Sequence, residues 1–229
     1  MNQETFNQGA IQIAQGNHHE GFLVLDKALE ASMALPRQQQ SLASSRFRAS
    51  PILSIITSAD DASLLFATPF LLEAEVTDPR AWIVVGFNMG LAFHREANLS
   101  RPKKSETTRR ILLEKAFSLY DGALGLFDRA SYTFTSEDLP DTSRCCLEHV
   151  QMALLNNQIE VLQELAQSSA NTFSQETFGA HRAIVEYLKN RFRQSFADIT
   201  GDTSCPAYRH LEKVCLSYCL SGAVTATAA

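Results

Sequence analysis

The chain has 229 residues, 45% of them hydrophobic and 20% charged, with a formal net charge of -5. That length buries a substantial core without a covalent staple, and mild acidity gives no electrostatic footprint for nucleic acid as a partner. The longest apolar runs, such as Ala81 to Gly86, are far below the roughly 20 residues of a membrane span, and Met1-Asn2-Gln3-Glu4 lacks a signal peptide's basic and apolar regions; the expectation is a soluble cytoplasmic protein with no membrane partner.

Residues 2 to 34 read as a helical hairpin. Apolar and small residues recur at helical spacing through Phe6, Gly9, Ala10 and Ile13, Gly16-Asn17 interrupts them, and Phe22, Leu25, Ala28 and Leu29 resume the pattern. A turn so short makes the two helices antiparallel neighbours. Pro36 to Ser50, rich in Gln, Ser and Arg, reads as a weakly ordered loop.

Pro51 to Ile56 and Leu64 to Thr68 are apolar runs on either side of Ser58-Ala59-Asp60-Asp61, which predicts a small β-hairpin near residues 51 to 70. Pro69 ends or edges its second strand because it has no N–H to donate, leaving Phe70-Leu71-Leu72 extended against the helices. Asp78-Pro79 supplies a helix start. The pair that follows, about 80 to 129, carries small residues where a partner helix must come close: Gly90 and Ala92, then Ala116, Gly122 and Ala123. Arg101 to Lys104 and Arg109-Arg110 between its helices read as a solvated linker.

A third pair spans about 142 to 196, with Ala180, Ile184, Tyr187, Leu188 and Phe192 on one face of its second helix. A C-terminal helix over 204 to 221 follows, and 223 to 229 reads as a frayed tail. The expected architecture is mostly α, with helix over roughly 60% of residues against the usual third.

Asn7-Gln8-Gly9, Asn88-Met89-Gly90 and Asn157-Gln158-Ile159 occupy the same place in the first helix of each pair. The second helices add Gly21, Leu25 and Ala28-Leu29, then Ala116, Tyr120 and Ala123-Leu124, then Ala183 and Tyr187. This resembles the tetratricopeptide repeat (TPR), whose first helix carries Asn, an apolar residue and Gly, and whose second carries a small residue, an aromatic and Ala-Leu. The pattern departs from the family in having no fixed period of about 34 residues, an insertion from Glu96 to Leu112, and Trp82 ahead of the family's Trp position. The resemblance implies antiparallel hairpins stacked as a short, irregular superhelix, a single domain over 1 to 222. It further implies that Asn7, Asn88 and Asn157 line an inner groove and bond the backbone of an extended peptide. The alternative is that each Asn caps or hydrogen-bonds within its own hairpin. An Asn in the groove should be replaceable by Ala with global stability nearly unchanged.

Other constellations point elsewhere. The five cysteines (Cys145, Cys146, Cys205, Cys215, Cys219) are an odd number and a poor disulfide framework, so reduced thiols are expected. Cys145 or Cys146 with His149 has helical spacing for a metal, but a zinc site needs further ligands from His210, Cys215 or Cys219. No Gly-x-Ser-x-Gly elbow or Gly-rich phosphate loop is present. His18-His19, at the first hairpin's turn, reads as polar and solvent-facing. The reading that follows is a non-catalytic scaffold, without cofactor, binding a peptide segment or partner helix on a concave face. The alternatives are a metal- or thiol-dependent enzyme built on Cys145, Cys146 and His149, and a self-assembling structural subunit.

Overall fold

The computed structural model describes residues 3–33, 49–51, 68–72, 79–99, 105–133, 141–169 and 175–198. Six helices and two short strands run in the order α1 (Gln3–Ala14), α2 (His18–Met33), β1 (Ala49–Pro51), β2 (Phe70–Leu72), α3 (Pro79–Leu99), α4 (Glu106–Thr133), α5 (Asp141–Ser169) and α6 (Gln175–Asp198). Helix accounts for 91% of the described residues. The C-terminal helix expected over 204 to 221, the tail after it and most of the predicted hairpin, 52 to 67, lie outside the described residues.

Local chemistry sets the helix ends. Gly16, at φ 90°, closes α1 in the left-handed conformation that glycine adopts without Cβ strain. The Asn17 N–H donates to Gln12 O at 2.9 Å and the Gly16 N–H to Ile13 O at 3.1 Å, the bond pair of a Schellman cap. Asn17 then opens α2 by accepting the Gly21 N–H at its carbonyl, 2.9 Å. Ser105 caps α4, its Oγ accepting the Thr108 N–H at 3.2 Å.

Each helix packs on the next, and the first helices of the three pairs, α1, α3 and α5, also touch in series. Close approach in the first pair depends on Gly9 and Gly21. A Cβ on Gly9 would sit 2.8 Å from Leu25 Cγ, and one on Gly21 would sit 2.5 Å from Ile13 Cγ1. In the second pair Gly86 abuts Ala123 and Gly90 abuts the Tyr120 ring. Gly122, expected to admit a partner helix, is instead exposed with open space about it. The core runs continuously from Phe6 and Leu25 through Phe87, Leu113 and Tyr120 to Leu155 and Phe192.

Two further expectations, for the face of α6 and for Arg109, are corrected. Val185, Leu188 and Phe192 form the buried face of α6, whereas Ile184 and Tyr187 are exposed, Tyr187 by 62%. The described strands are β1, which ends on Pro51, the first residue of the first predicted run, and β2, the Phe70-Leu71-Leu72 stretch expected to lie extended. They pair antiparallel with Ala49 opposite Leu72, Ser50 opposite Leu71 and Pro51 opposite Phe70. Arg109, read as part of a solvated linker, is buried in the first turn of α4 and paired with Glu164.

Candidate functional site

β2 crosses the face formed by α1 and α3, and the asparagines of those helices hold it. Asn88 Oδ1 accepts the Phe70 N–H at 2.9 Å and Asn88 Nδ2 donates to Phe70 O at 2.8 Å. Asn7 repeats the arrangement two residues on: its Oδ1 accepts the Leu72 N–H and its Nδ2 donates to Leu72 O, both at 2.8 Å. Gln3 Nε2 gives that carbonyl a second donor at 2.7 Å.

The geometry follows from the extended chain. The N–H and C=O of one strand residue point to the same edge and those of the next residue to the other, so a carboxamide, with one donor face and one acceptor face, matches one residue in two. Phe70 and Leu72 therefore face the asparagines and Leu71 faces β1. Pro51 opposes Phe70, whose polar groups are already turned away, so its missing N–H breaks no bond in the ladder.

Side chains add an apolar component. Phe70 and Leu72 are buried and Leu71 is half-buried. The Phe70 ring meets Phe87 edge to face at 5.1 Å, Phe87 lies 5.9 Å from Tyr120, and Tyr120 lies 6.3 Å from His94. An aromatic row thus leads from the strand into the stack.

Asn157, the third member of the sequence series, is buried in α5 and donates through Nδ2 to Tyr120 Oη at 3.2 Å. Burial holds the Tyr120 phenol in its protonated form, raising its pKa against the opposing effect of the Asn157 bond.

Behind the row lies a polar cluster the sequence reading did not identify. Glu164 of α5 meets His94 Nε2 at 3.2 Å, accepts from Asn98 Nδ2 at 3.2 Å, and pairs with the Arg109 guanidinium. Burial pushes its carboxyl up, but the hydrogen bond and charge of His94, with Asn98 and Arg109, hold it below the usual carboxylate range. Glu160, one turn earlier, goes the other way: burial raises it despite the bond from Asn156 Nδ2 at 3.1 Å, and the Glu164 charge adds to the rise. A glutamate on an otherwise apolar helix face is the signal that marks such a cluster.

His18 also departs from expectation. It is 4% exposed and its Nδ1 has no hydrogen-bond partner among the described residues, while His19 is exposed. His18 lines a cavity of about 290 Å³ with Phe22, Phe93 and Glu96. His149 is half-buried in α5, and the side chains of Cys145 and Cys146 lie outside the described residues. Among the described residues no three His, Cys, Asp or Glu side chains cluster to hold a metal ion, and no helix is long and apolar enough to cross a membrane.

Comparison of the chain with family models, with curated proteins and with solved structures finds no match.

Proposed function

We propose that the chain is a non-catalytic interaction scaffold, a short TPR-like stack of helix pairs that binds an extended peptide segment along its concave face. The contacts between α1, α3 and α5 in series support the stack. One observation carries the binding role: Asn7 and Asn88, on equivalent positions of successive pairs, each take both backbone groups of one residue, two residues apart on one extended segment. Asn157, at the equivalent position of the third pair, instead bonds Tyr120 Oη inside the stack, so the proposed clamp consists of Asn7 and Asn88.

The same chemistry favours an extended segment over a partner helix. A helix commits its backbone groups to itself. Only an extended chain offers the paired N–H and C=O that a carboxamide grips. Four such bonds contribute about 0.5–1.5 kcal/mol each, so apolar side chains must provide much of the affinity and backbone contacts the register.

The experiment is a titration of labelled extended peptides, with apolar residues at alternate positions, against a Phe70→Ala/Leu72→Ala chain, whose own strand holds the groove less tightly, and against the same chain carrying Asn7→Ala/Asn88→Ala, with the helicity of both checked by circular dichroism. The reading requires at least one saturably bound peptide and at least tenfold weaker binding by the folded asparagine variant. Equal affinity for both proteins overturns the asparagine clamp.

A further inference from the structure

The positions that would receive a partner are already filled, and by the chain itself. Building on the peptide-site reading above, we infer that Phe70–Leu72 is an intramolecular ligand of the clamp, which yields to a partner segment carrying apolar residues two apart.

The strand defines what can replace it. Both rung residues give an N–H to an asparagine, so proline is excluded at either rung; Pro69, just before the first, shows that it is tolerated there. Both rung side chains are buried, Phe70 against the edge of Phe87 and Leu72 completely, so the partner needs large apolar groups at both. The residue between them is half-buried, so its side chain tolerates more variation, while its backbone faces β1 and excludes proline. The signature is three non-proline residues in extended conformation, the first and third large and apolar and the second of variable side chain.

Tethering makes the occupant a strong competitor. A segment attached to its own site acts at an effective concentration in the millimolar range, so a free peptide of equal intrinsic affinity at micromolar concentration is outcompeted roughly a thousandfold. The protein is thus closed to weak encounters. It opens to a partner that fills the two apolar positions better, or whose further contacts extend beyond the three residues of β2.

The test uses a labelled peptide of residues 67 to 74, Ala-Thr-Pro-Phe-Leu-Leu-Glu-Ala, against the full chain and against a Phe70→Ala/Leu72→Ala variant in which the internal ligand has lost its apolar groups. The expected result is at least tenfold tighter binding to the variant, abolished by adding Asn88→Ala. Equal affinity for both proteins overturns the internal ligand while leaving the groove a peptide site. A peptide bound by neither wild type nor a folded variant overturns the peptide-site reading and this inference with it. Hydrogen exchange on the unaltered chain provides a measurement that does not depend on the variant folding. With bound peptide, loss of protection at the Phe70 and Leu72 amides supports displacement, and retained protection overturns it.

Discussion

Gly90 lies so close to the ring of Tyr120 that a Cβ at position 90 would come within 2.6 Å of Cε1 and 2.7 Å of Cδ1. The ring has little freedom to retreat, because Phe87 and His94 pack about it and Asn157 bonds its hydroxyl. Gly90→Ala should therefore cost about 1–3 kcal/mol through overpacking, against the gain alanine normally brings to a helix interior. Gly122, on the exposed side of α4, is the control: Gly122→Ala should add about 0.5–1 kcal/mol. Urea unfolding of the two variants checks both signs; equal effects would place Gly90 on the surface.

Asn88→Ala removes both partners of Phe70 and leaves a buried N–H and C=O unsatisfied. At 0% exposure no water replaces them, so the expected loss is on the order of 2–4 kcal/mol. This revises the sequence expectation that such replacements leave stability nearly unchanged. Asn7→Ala should cost less, because its bonds are only partly buried and Gln3 still serves the Leu72 carbonyl. Unfolding midpoints, with exchange rates at the Phe70 and Leu72 amides, distinguish the two.

Glu160 and Glu164 should respond to neutralisation in opposite senses. The Glu164 carboxyl is held below its unfolded pKa, so its contribution is present above that value and is lost as pH falls through the lower folded one. Glu164→Gln should therefore lower the unfolding midpoint at pH 7. The Glu160 carboxyl is raised, so ionised Glu160 opposes folding at neutral pH and protonation relieves it. Glu160→Gln, which keeps an acceptor for Asn156, should raise the midpoint at pH 7 and lose that advantage near pH 4. Denaturation of both variants across this range checks the signs.

Acid should also act through His18. Burial first, and the Arg95 charge second, lower its pKa, with Glu96 offsetting part of the effect. The unfolded chain then takes up a proton at pH values where the folded chain does not, so stability falls as pH drops below about 6.5 until the folded imidazole is protonated too. His149, lowered by burial, adds in the same direction. His18→Gln should flatten, without abolishing, the decline between pH 7 and 5.5, measured by urea unfolding. An unchanged slope would place His18 in water.

Where the sequence was informative, the controlling physics was local. Gly16-Asn17 marks the first turn because a left-handed residue and its two cap bonds need only neighbouring atoms. The closeness of Gly90 and Tyr120 is legible because glycine on an apolar helix face has few other uses. Phe70-Leu71-Leu72 was legible as extended, but its grip by Asn88 and Asn7 joins residues 18 and 65 positions apart, and no local pattern encodes that. Helix α6 misled for a related reason. Ile184 and Tyr187 have the spacing of a buried stripe, but the side packed against α5 is the one bearing Val185, Leu188 and Phe192. The Glu164 cluster was hidden because its members come from three helices.

The clasp on β2 bears on the order of assembly. Contacts between α1 and α2 close over short stretches of chain, as does the grip of Asn88 on Phe70, whereas joining Leu72 to Asn7 closes a stretch of 65 residues and carries a larger entropic penalty. The first helix pair can form before the Asn7 rung does. Interactions made after the folding barrier leave the rate of folding nearly unchanged and act on the rate of unfolding. The Asn7 rung, the last to close in this order, thus governs how long the folded chain persists more than how quickly it forms.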